Sequence, residues 1–187
     1  VFTAAGAFFA ATALPGLHWH DTAEFAAVAR RLSLSHSPGH PLHALTTHGA
    51  QQLVPLGDAA FRANLASGLA VAVACALLYR LARAAAPALP WLGAAALALV
   101  PAVLPGVWLQ GVRAEVYGLQ LALTVALGGG LWAVARGDGR ALPAVALVFG
   151  LAGANHSLIG AALLPAALLA MAAGVRAWRP VAAAIPA

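Results

Sequence analysis

Long apolar stretches alternate along the chain with short polar connections, a pattern typical of membrane-spanning helices. Three stretches approach the ~20 residues that a spanning helix needs; they are 61–81, 90–109 and 116–134. The first stretch, residues 1–14, is shorter and ends at Pro15-Gly16, a turn signal. We expect it to be the last part of a helix that begins outside the chain.

A fourth apolar region covers residues 141–173, with Asn155-His156 near its middle. One straight helix over this region would be ~50 Å long at 1.5 Å per residue, well beyond the ~30 Å hydrocarbon core of a bilayer. The sequence therefore predicts two shorter helices that meet at residues 153–157.

Residues 15–60 are the polar exception, and they hold six of the seven histidines. Apolar side chains at helical spacing, Phe25, Val28 and Leu32, predict an amphipathic helix over residues 21–32. Pro41 suits the first turn of a second helix over about 42–54. Both helices are too short and too polar to span, so we expect them to lie in the membrane interface.

Composition then fixes the class of protein. Hydrophobic residues make up 63% of the chain and charged residues 8%, whereas soluble domains average about 25% charged residues. This number of charged residues is too small to form the surface of a soluble domain. We therefore predict an all-α integral membrane protein, a multi-span helical bundle. The ten basic residues are scattered arginines without a basic run, which argues against nucleic acid as a partner.

The distribution of arginines predicts the topology. One face would carry six arginines and the other four; the four are Arg30, Arg31, Arg62 and Arg113. The positive-inside rule then makes residues 15–60 a long first extracytoplasmic loop, with residues 110–115 on the same side.

On this topology the distinctive polar residues lie together at the ends of three separate helices. They are Asp21, Glu24, Arg113, Glu115, Asn155 and His156. Ionisable groups within a membrane are costly to keep, and they often mark function. We therefore predict one cavity, open to the outer face and lined by all six residues.

Simpler structural explanations remain open at this point. Asp21 and Glu24 fit the D-x-x-E form of a helix-capping box. Glu115 could form a local ion pair with Arg113, and Asn155 could satisfy backbone groups at a helix break. The histidines show no zinc-binding pattern, so contacts with water or headgroups are favoured over a metal site.

Five motifs occur in a fixed order. They read H-W-H-D-T-A-E-F at 18–25, H-S-P-G-H-P-L at 36–42, A-F-R-A-N-L-A-S at 60–67, A-E-V-Y-G-L at 114–119 and G-L-A-G-A-N-H at 150–156. The series resembles the membrane proteins of domain-of-unknown-function family 2723, which is similar to the protein O-mannosyltransferases and belongs with the GT-C glycosyltransferases. The resemblance implies a GT-C-like, multi-span enzyme that takes a sugar from a polyprenyl-phosphate carrier and inverts the anomeric centre.

The resemblance also assigns residues. It implies that Asp21 is the catalytic base. The residues expected to bind substrate are Glu24, His36, Arg113, Glu115, Tyr117, Asn155 and His156, with Arg113 placed on the leaving phosphate by its position. The chain departs from the family pattern where Ser37 replaces Pro, His40 replaces Tyr and Thr22-Ala23 replaces Ser-Gly. Full GT-C enzymes have more spans, so residues 1–187 are expected to be the N-terminal transmembrane portion of a module, truncated at both ends.

The implied function is transfer of a sugar, expected to be mannose, to a hydroxyl of an acceptor protein or glycan at the extracytoplasmic membrane face. No cofactor is expected, and the residues give no support for a divalent metal. We expect the protein in a bacterial inner membrane, in contact with lipid and with room for partner membrane subunits. The alternative is a non-catalytic membrane subunit or scaffold of a larger complex, and a transporter is third because of the broken helix at 141–173.

Overall fold

The computed structural model describes residues 1–169 and 172, and the secondary structure in these residues is helical. Nine α-helices follow one another between Phe2 and Ala162, with a single 3₁₀ turn at Gly139–Ala141 before the eighth. They are α1 (Phe2–Thr12), α2 (Thr22–Arg31), α3 (Pro41–Leu53), α4 (Ala59–Ala85), α5 (Trp91–Val103), α6 (Pro105–Gly111), α7 (Val116–Ala135), α8 (Leu142–Asn155) and α9 (Ser157–Ala162).

Two helices, α4 and α7, are long and apolar enough to cross a membrane, and they confirm the spans predicted at 61–81 and 116–134. The chain is therefore a membrane protein. The two helices pack on each other at Gly118, where a Cβ atom would lie 2.5 Å from the backbone oxygen of Ser67. Only glycine allows the two backbones to come this close.

The predicted span at 90–109 is not one straight helix. It is divided at Leu104 into α5 and α6, whose axes differ by 71°. Pro105 causes the break, because its ring disfavours helical backbone in the preceding residue, and Leu104 is extended with ψ 125°. The pair counts as a third span only if both helices belong to one bent segment.

The predicted break in the fourth apolar region is confirmed. Helix α8 ends at Asn155, His156 is extended with φ −149° and ψ 101°, and α9 begins at Ser157. The end of the predicted region, and the arginines at 176 and 179 used for the topology, lie outside the described residues.

The apolar core joins α1 to the spans. Phe9 is completely buried, and it belongs to one cluster with Val71 and Cys75 of α4 and with Val112 beyond α6. Cys75 is a free buried thiol, as expected for a core residue. The backbone N–H of Leu14 donates to the oxygen of Val112 at 2.9 Å, which brings the end of α1 beside the segment that leads into α7.

The two short helices predicted between α1 and α4 are present as α2 and α3, within one residue of the predicted ends. Phe25 and Val28 of α2 are buried as the apolar spacing predicts, whereas Leu32 is exposed because the helix has ended before it. Helix α2 packs against both α3 and α4. The side of the membrane on which they lie stays a prediction.

Candidate functional site

The first part of the site is a cluster of three side chains at the start of α2. Asp21, Glu24 and His36 offer ligand atoms that all lie within 4.8 Å of one another. Glu24 accepts two hydrogen bonds from His36: one from the backbone N–H at 2.5 Å and one from Nδ1 at 2.9 Å. The two carboxylates of the D-x-x-E motif therefore face a histidine twelve positions further along the chain.

This geometry shows that the capping-box alternative is wrong. Asp21 occupies the N-cap position of α2, yet its side chain accepts no capping hydrogen bond. Glu24, which would have to reach back to the helix start, is held by His36 instead. Asp21 is exposed and its carboxylate stays free of the helix backbone.

The turn between α2 and α3 brings His36 into place. Gly39 has φ 77°, a left-handed conformation that glycine adopts without steric cost, and its N–H donates to the oxygen of His36 at 2.7 Å. The P-G-H-P sequence at 38–41 therefore forms a turn, and this turn places His36 in the site.

The pairing of Glu24 with His36 shifts both pKa values. The hydrogen bond from His36 lowers the pKa of the Glu24 carboxyl below 4.5, and the same bond raises the pKa of His36 above 6.5. The nearby charges of Asp21 and Glu115 add to the rise in the pKa of His36. Both partners are well exposed. Because the pKa of Glu24 is lowered and that of His36 is raised, both groups carry their charge between about pH 4.5 and 6.5, and we expect the pair to be strongest there.

The second part of the site is a buried ion pair in the connection between α6 and α7. Nη2 of Arg113 lies 3.3 Å from Oε1 of Glu115, and the two side chains are 6% and 4% exposed. Nη2 also donates to Oε1 of Gln110 at 3.2 Å. Within the described residues, Nε and Nη1 of Arg113 are buried without a hydrogen-bond partner. A buried cation with unused donors is costly, and an anion would satisfy them.

Two residues of α4 hold this connection. Asn64 is completely buried, and its Oδ1 accepts the N–H of Ala114 at 2.8 Å. The hydroxyl of Ser67 accepts the N–H of Glu115 at 3.0 Å and donates to the oxygen of Glu115 at 3.1 Å. Both belong to the 60–67 motif, but neither was among the predicted site residues.

The two parts face each other. Phe25 of α2 belongs to one buried cluster with Ala114 and Val116, which flank Glu115 in sequence. Burial raises the pKa of the Glu115 carboxyl, and the charge of Asp21 acts in the same direction, while Arg113 opposes both. Asp21, His36 and Glu115 are thus close enough for their charges to interact, as expected for one shared site.

The third part lies at the break between α8 and α9. The ring of His156 is 5.9 Å from Tyr117 and 5.2 Å from His40, and the ring of His40 is in turn 5.7 Å from His36. The predicted residues of the three motifs therefore come together. Asn155 differs from the others, because it is completely buried and its amide donates to Val116 and Gln120. These partners belong to α7, so the side chain of Asn155 bonds to that helix and not to the backbone groups freed at the break.

Sequence reasoning missed two histidines of the site. His40 and His43 are 4% and 3% exposed, and both pack edge-on against Phe25 at 5.5 and 5.0 Å between ring centres. Burial lowers the pKa of His43 to about 4, so its imidazole is neutral at pH 7. The only signal in the sequence was their helical spacing, which places positions 40, 43 and 47 on one helix face.

One cavity adjoins the buried pair, and a second lies beside α6 and α7. One of about 210 Å³ lies between α3, α4 and α7 and is lined by His43, Thr47, Ser67 and Glu115 among others. The second, of about 350 Å³, is bordered by Gln110 and Tyr117 and otherwise by apolar or glycine positions such as Val107 and Leu121.

The donor set of Asp21, Glu24 and His36 is compatible in spacing with a divalent cation. Both oxygens of Glu24 are already engaged by His36, however, and a cation would have to displace Nδ1 of that histidine. The expectation of no metal stays a prediction.

Comparison with known proteins identifies the family of the chain. A family model described as the protein O-mannosyl-transferase TMEM260 N-terminal domain matches residues 21–179. The protein O-mannosyl-transferase TMEM260 of Mus musculus is 38% identical over 79 residues, which are 42% of this chain and 11% of the mouse protein. No solved structure matches the chain significantly.

The resemblance to protein O-mannosyltransferases read from the five motifs is thus confirmed, and the wider GT-C assignment stays a prediction. The match begins at Asp21, the predicted base, and includes all the predicted site residues. Since it covers far more than half of the chain, this protein belongs to the family of the protein O-mannosyl-transferase TMEM260 N-terminal domain.

Proposed function

We propose that this chain forms the membrane-embedded catalytic portion of a mannosyltransferase that takes mannose from a polyprenyl-phosphate carrier and transfers it to a hydroxyl group. The observation that carries the proposal is that Asp21, whose carboxylate makes no capping bond, lies near enough to Glu115, the partner of the buried Arg113, for their charges to interact. Family membership supports the class of reaction, because the mouse relative is named as a protein O-mannosyl-transferase.

Asp21 is the proposed catalytic base. Its carboxylate is exposed and makes no capping bond, so it can approach an acceptor hydroxyl. It would take the hydroxyl proton while the acceptor oxygen forms a bond to C1 of mannose. The bond between C1 and the phosphate oxygen breaks, and its electron pair stays on the phosphate. Attack from the face opposite the phosphate inverts the anomeric centre.

Arg113 is the proposed ligand of the leaving phosphate. Nε and Nη1 are buried donors without a partner in the described residues, and a phosphate oxygen would accept from one of them. The extra negative charge that develops on the phosphate in the transition state is stabilised by a guanidinium that is already held in place by Glu115 and Gln110.

The apolar carrier would occupy the cavity of about 350 Å³ beside Gln110 and Tyr117. Gln110 lines this cavity and accepts a hydrogen bond from Arg113, and the apolar walls of the cavity suit an isoprenoid chain. Glu24, His36, Tyr117 and His156 would orient the sugar or the acceptor. We place the reaction at the extracytoplasmic face, and the bacterial inner membrane stays our expectation for the location.

The test compares Asp21→Asn with Asp138→Asn in the full-length protein. Asp138 is a matched control, because it caps the 3₁₀ turn beyond the far end of α7. The probe is polyprenyl-phosphate mannose radiolabelled in the sugar, and transfer to protein from a membrane extract is measured.

We expect Asp21→Asn to lower the transfer rate by about 10²–10⁴-fold, the usual contribution of a general base. Asp138→Asn should transfer at the wild-type rate. Undiminished transfer by Asp21→Asn would overturn the role of the base, and no transfer by the wild-type protein from this donor would overturn the proposed function.

A further inference from the structure

His40 makes a long-range contact that the catalytic proposal does not use. Its Nδ1 lies 2.7 Å from the backbone oxygen of Asn155, 115 positions further along the chain, and the contact is buried. A carbonyl oxygen can only accept, so Nδ1 carries the proton and donates.

The contact satisfies a helix end. Asn155 is the last residue of α8, and the last carbonyls of a helix have no partner within that helix. A buried carbonyl left unpaired here would be costly. His40, at the N-cap of α3, therefore supplies from another element the donor that the break between α8 and α9 requires.

Asn155 is also bonded to α7, through its side chain. The side-chain amide of Asn155 donates to the oxygen of Val116 and to Oε1 of Gln120, each at 3.0 Å. Asn155 thus joins three elements: α3 through its carbonyl, α7 through its amide, and the break at which it lies. Glu115 and Tyr117 flank Val116, and His156 follows Asn155 directly.

We propose that His40 is a positioning residue that acts through Asn155. By donating Nδ1–H to the Asn155 carbonyl, it fixes the α8–α9 break against α7, and so sets His156 and Tyr117 opposite the Asp21–Glu24–His36 cluster. The ring distance of 5.2 Å between His40 and His156 shows that the two histidines are neighbours across this contact. The kinetic part of this inference rests on the proposed function, and the structural part does not.

Three substitutions of His40 separate the donor from the bulk of the ring. In His40→Asn the amide nitrogen lies near the position of Nδ1, so the bond to the carbonyl is kept. In His40→Gln the amide extends toward the position of Nε2, and in His40→Leu no donor remains. His48→Leu is the matched control, because Nδ1 of His48 also donates to a backbone oxygen, that of Ala29 at 2.8 Å, away from the break.

In the full-length protein, we expect His40→Leu and His40→Gln to lower kcat/KM for polyprenyl-phosphate mannose by about 10- to 100-fold, because the break, and His156 with it, moves out of position. His40→Asn should stay within about threefold of wild type. His48→Leu should lower Tm as His40→Leu does and leave kcat/KM within about threefold. Wild-type kinetics in His40→Leu, or His40→Asn as impaired as His40→Leu, would overturn the inference.

A spectroscopic measurement tests the same contact without turnover. In protein labelled with ¹⁵N-histidine, the signal lost in His40→Asn should be that of a ring whose Nδ1 carries a proton held in a hydrogen bond. A ring protonated only at Nε2 would overturn the inference even if the enzyme is active. If the wild-type protein does not use the donor, the proposed function fails, and this measurement still decides the role of His40.

Discussion

Asn64 gives the sharpest prediction about how the site is built. Its side chain makes three hydrogen bonds to backbone groups: Nδ2 donates to Leu14 at 2.8 Å and to Gly16 at 2.9 Å, and Oδ1 accepts from Ala114 at 2.8 Å. One buried side chain of α4 therefore fixes both the chain that leads to Asp21 and the chain that leads to Glu115.

The substitution Asn64→Ala removes all three bonds at once. One buried N–H and two part-buried carbonyls lose their partner, and an unpaired buried group costs about 1–3 kcal/mol, less where water reaches it. We expect a loss of about 3–6 kcal/mol in the free energy of unfolding. For a chain of this length, Tm falls by roughly 2–4 °C per kcal/mol, so Tm should fall on the order of 10 °C.

The assay is thermal unfolding of the detergent-solubilised protein, followed by tryptophan fluorescence. Gln52→Ala is the matched control, because it truncates an exposed amide on α3 and should change stability by no more than about 0.5 kcal/mol. An Asn64→Ala protein that melts together with Gln52→Ala would refute the reasoning that Asn64 holds the two segments.

Two further predictions concern packing and pH. Gly118→Ala should destabilise the protein by about 1–3 kcal/mol, because its Cβ would meet the Ser67 backbone. Gly129→Ala is the control, because open space surrounds this position, and it should be neutral or slightly stabilising. Equal melting temperatures of the two variants would contradict the packing described. His43 is buried and neutral with a lowered pKa of about 4, so the unfolded chain takes up its proton near pH 6.5 and the folded chain only near pH 4. Stability should therefore fall by about 3 kcal/mol as pH drops through this window. His43→Phe should lose less Tm over the same range, and an identical pH dependence would contradict the assignment.

The helices could be predicted from the sequence because apolar periodicity and length are local properties. The extent of α2 follows from the spacing of Phe25 and Val28, the start of α3 follows from Pro41, and the break before Ser157 follows from the excess length of the fourth apolar region. The break at Leu104 was missed although its signal was present, since Pro105 disfavours a helical conformation in the residue before it.

The site was predicted only in part. The motif residues were identified, but the partners that hold them are distant in sequence and have no local signature. Glu24 fits a capping box by spacing, yet His36 binds it through a turn that only the fold creates. Asn64 and His40 act across 50 and 115 positions, distances over which spacing carries no information. Their roles follow from which buried backbone groups need a partner.

The central claim is that the start of α2 and the connection before α7 share one site. It is tested most directly by chemical crosslinking of Glu24→Cys with Glu115→Cys, using a short thiol-specific reagent in native membranes. The control pair is Glu24→Cys with Asp138→Cys. Asp138 lies beyond the other end of α7 from Glu115, and the 20 residues of this helix span about 30 Å at ~1.5 Å per residue. We expect an intramolecular crosslink in the first pair and none in the control. Failure of the first pair to crosslink, in protein whose two cysteines both react with a monofunctional reagent, would contradict the account.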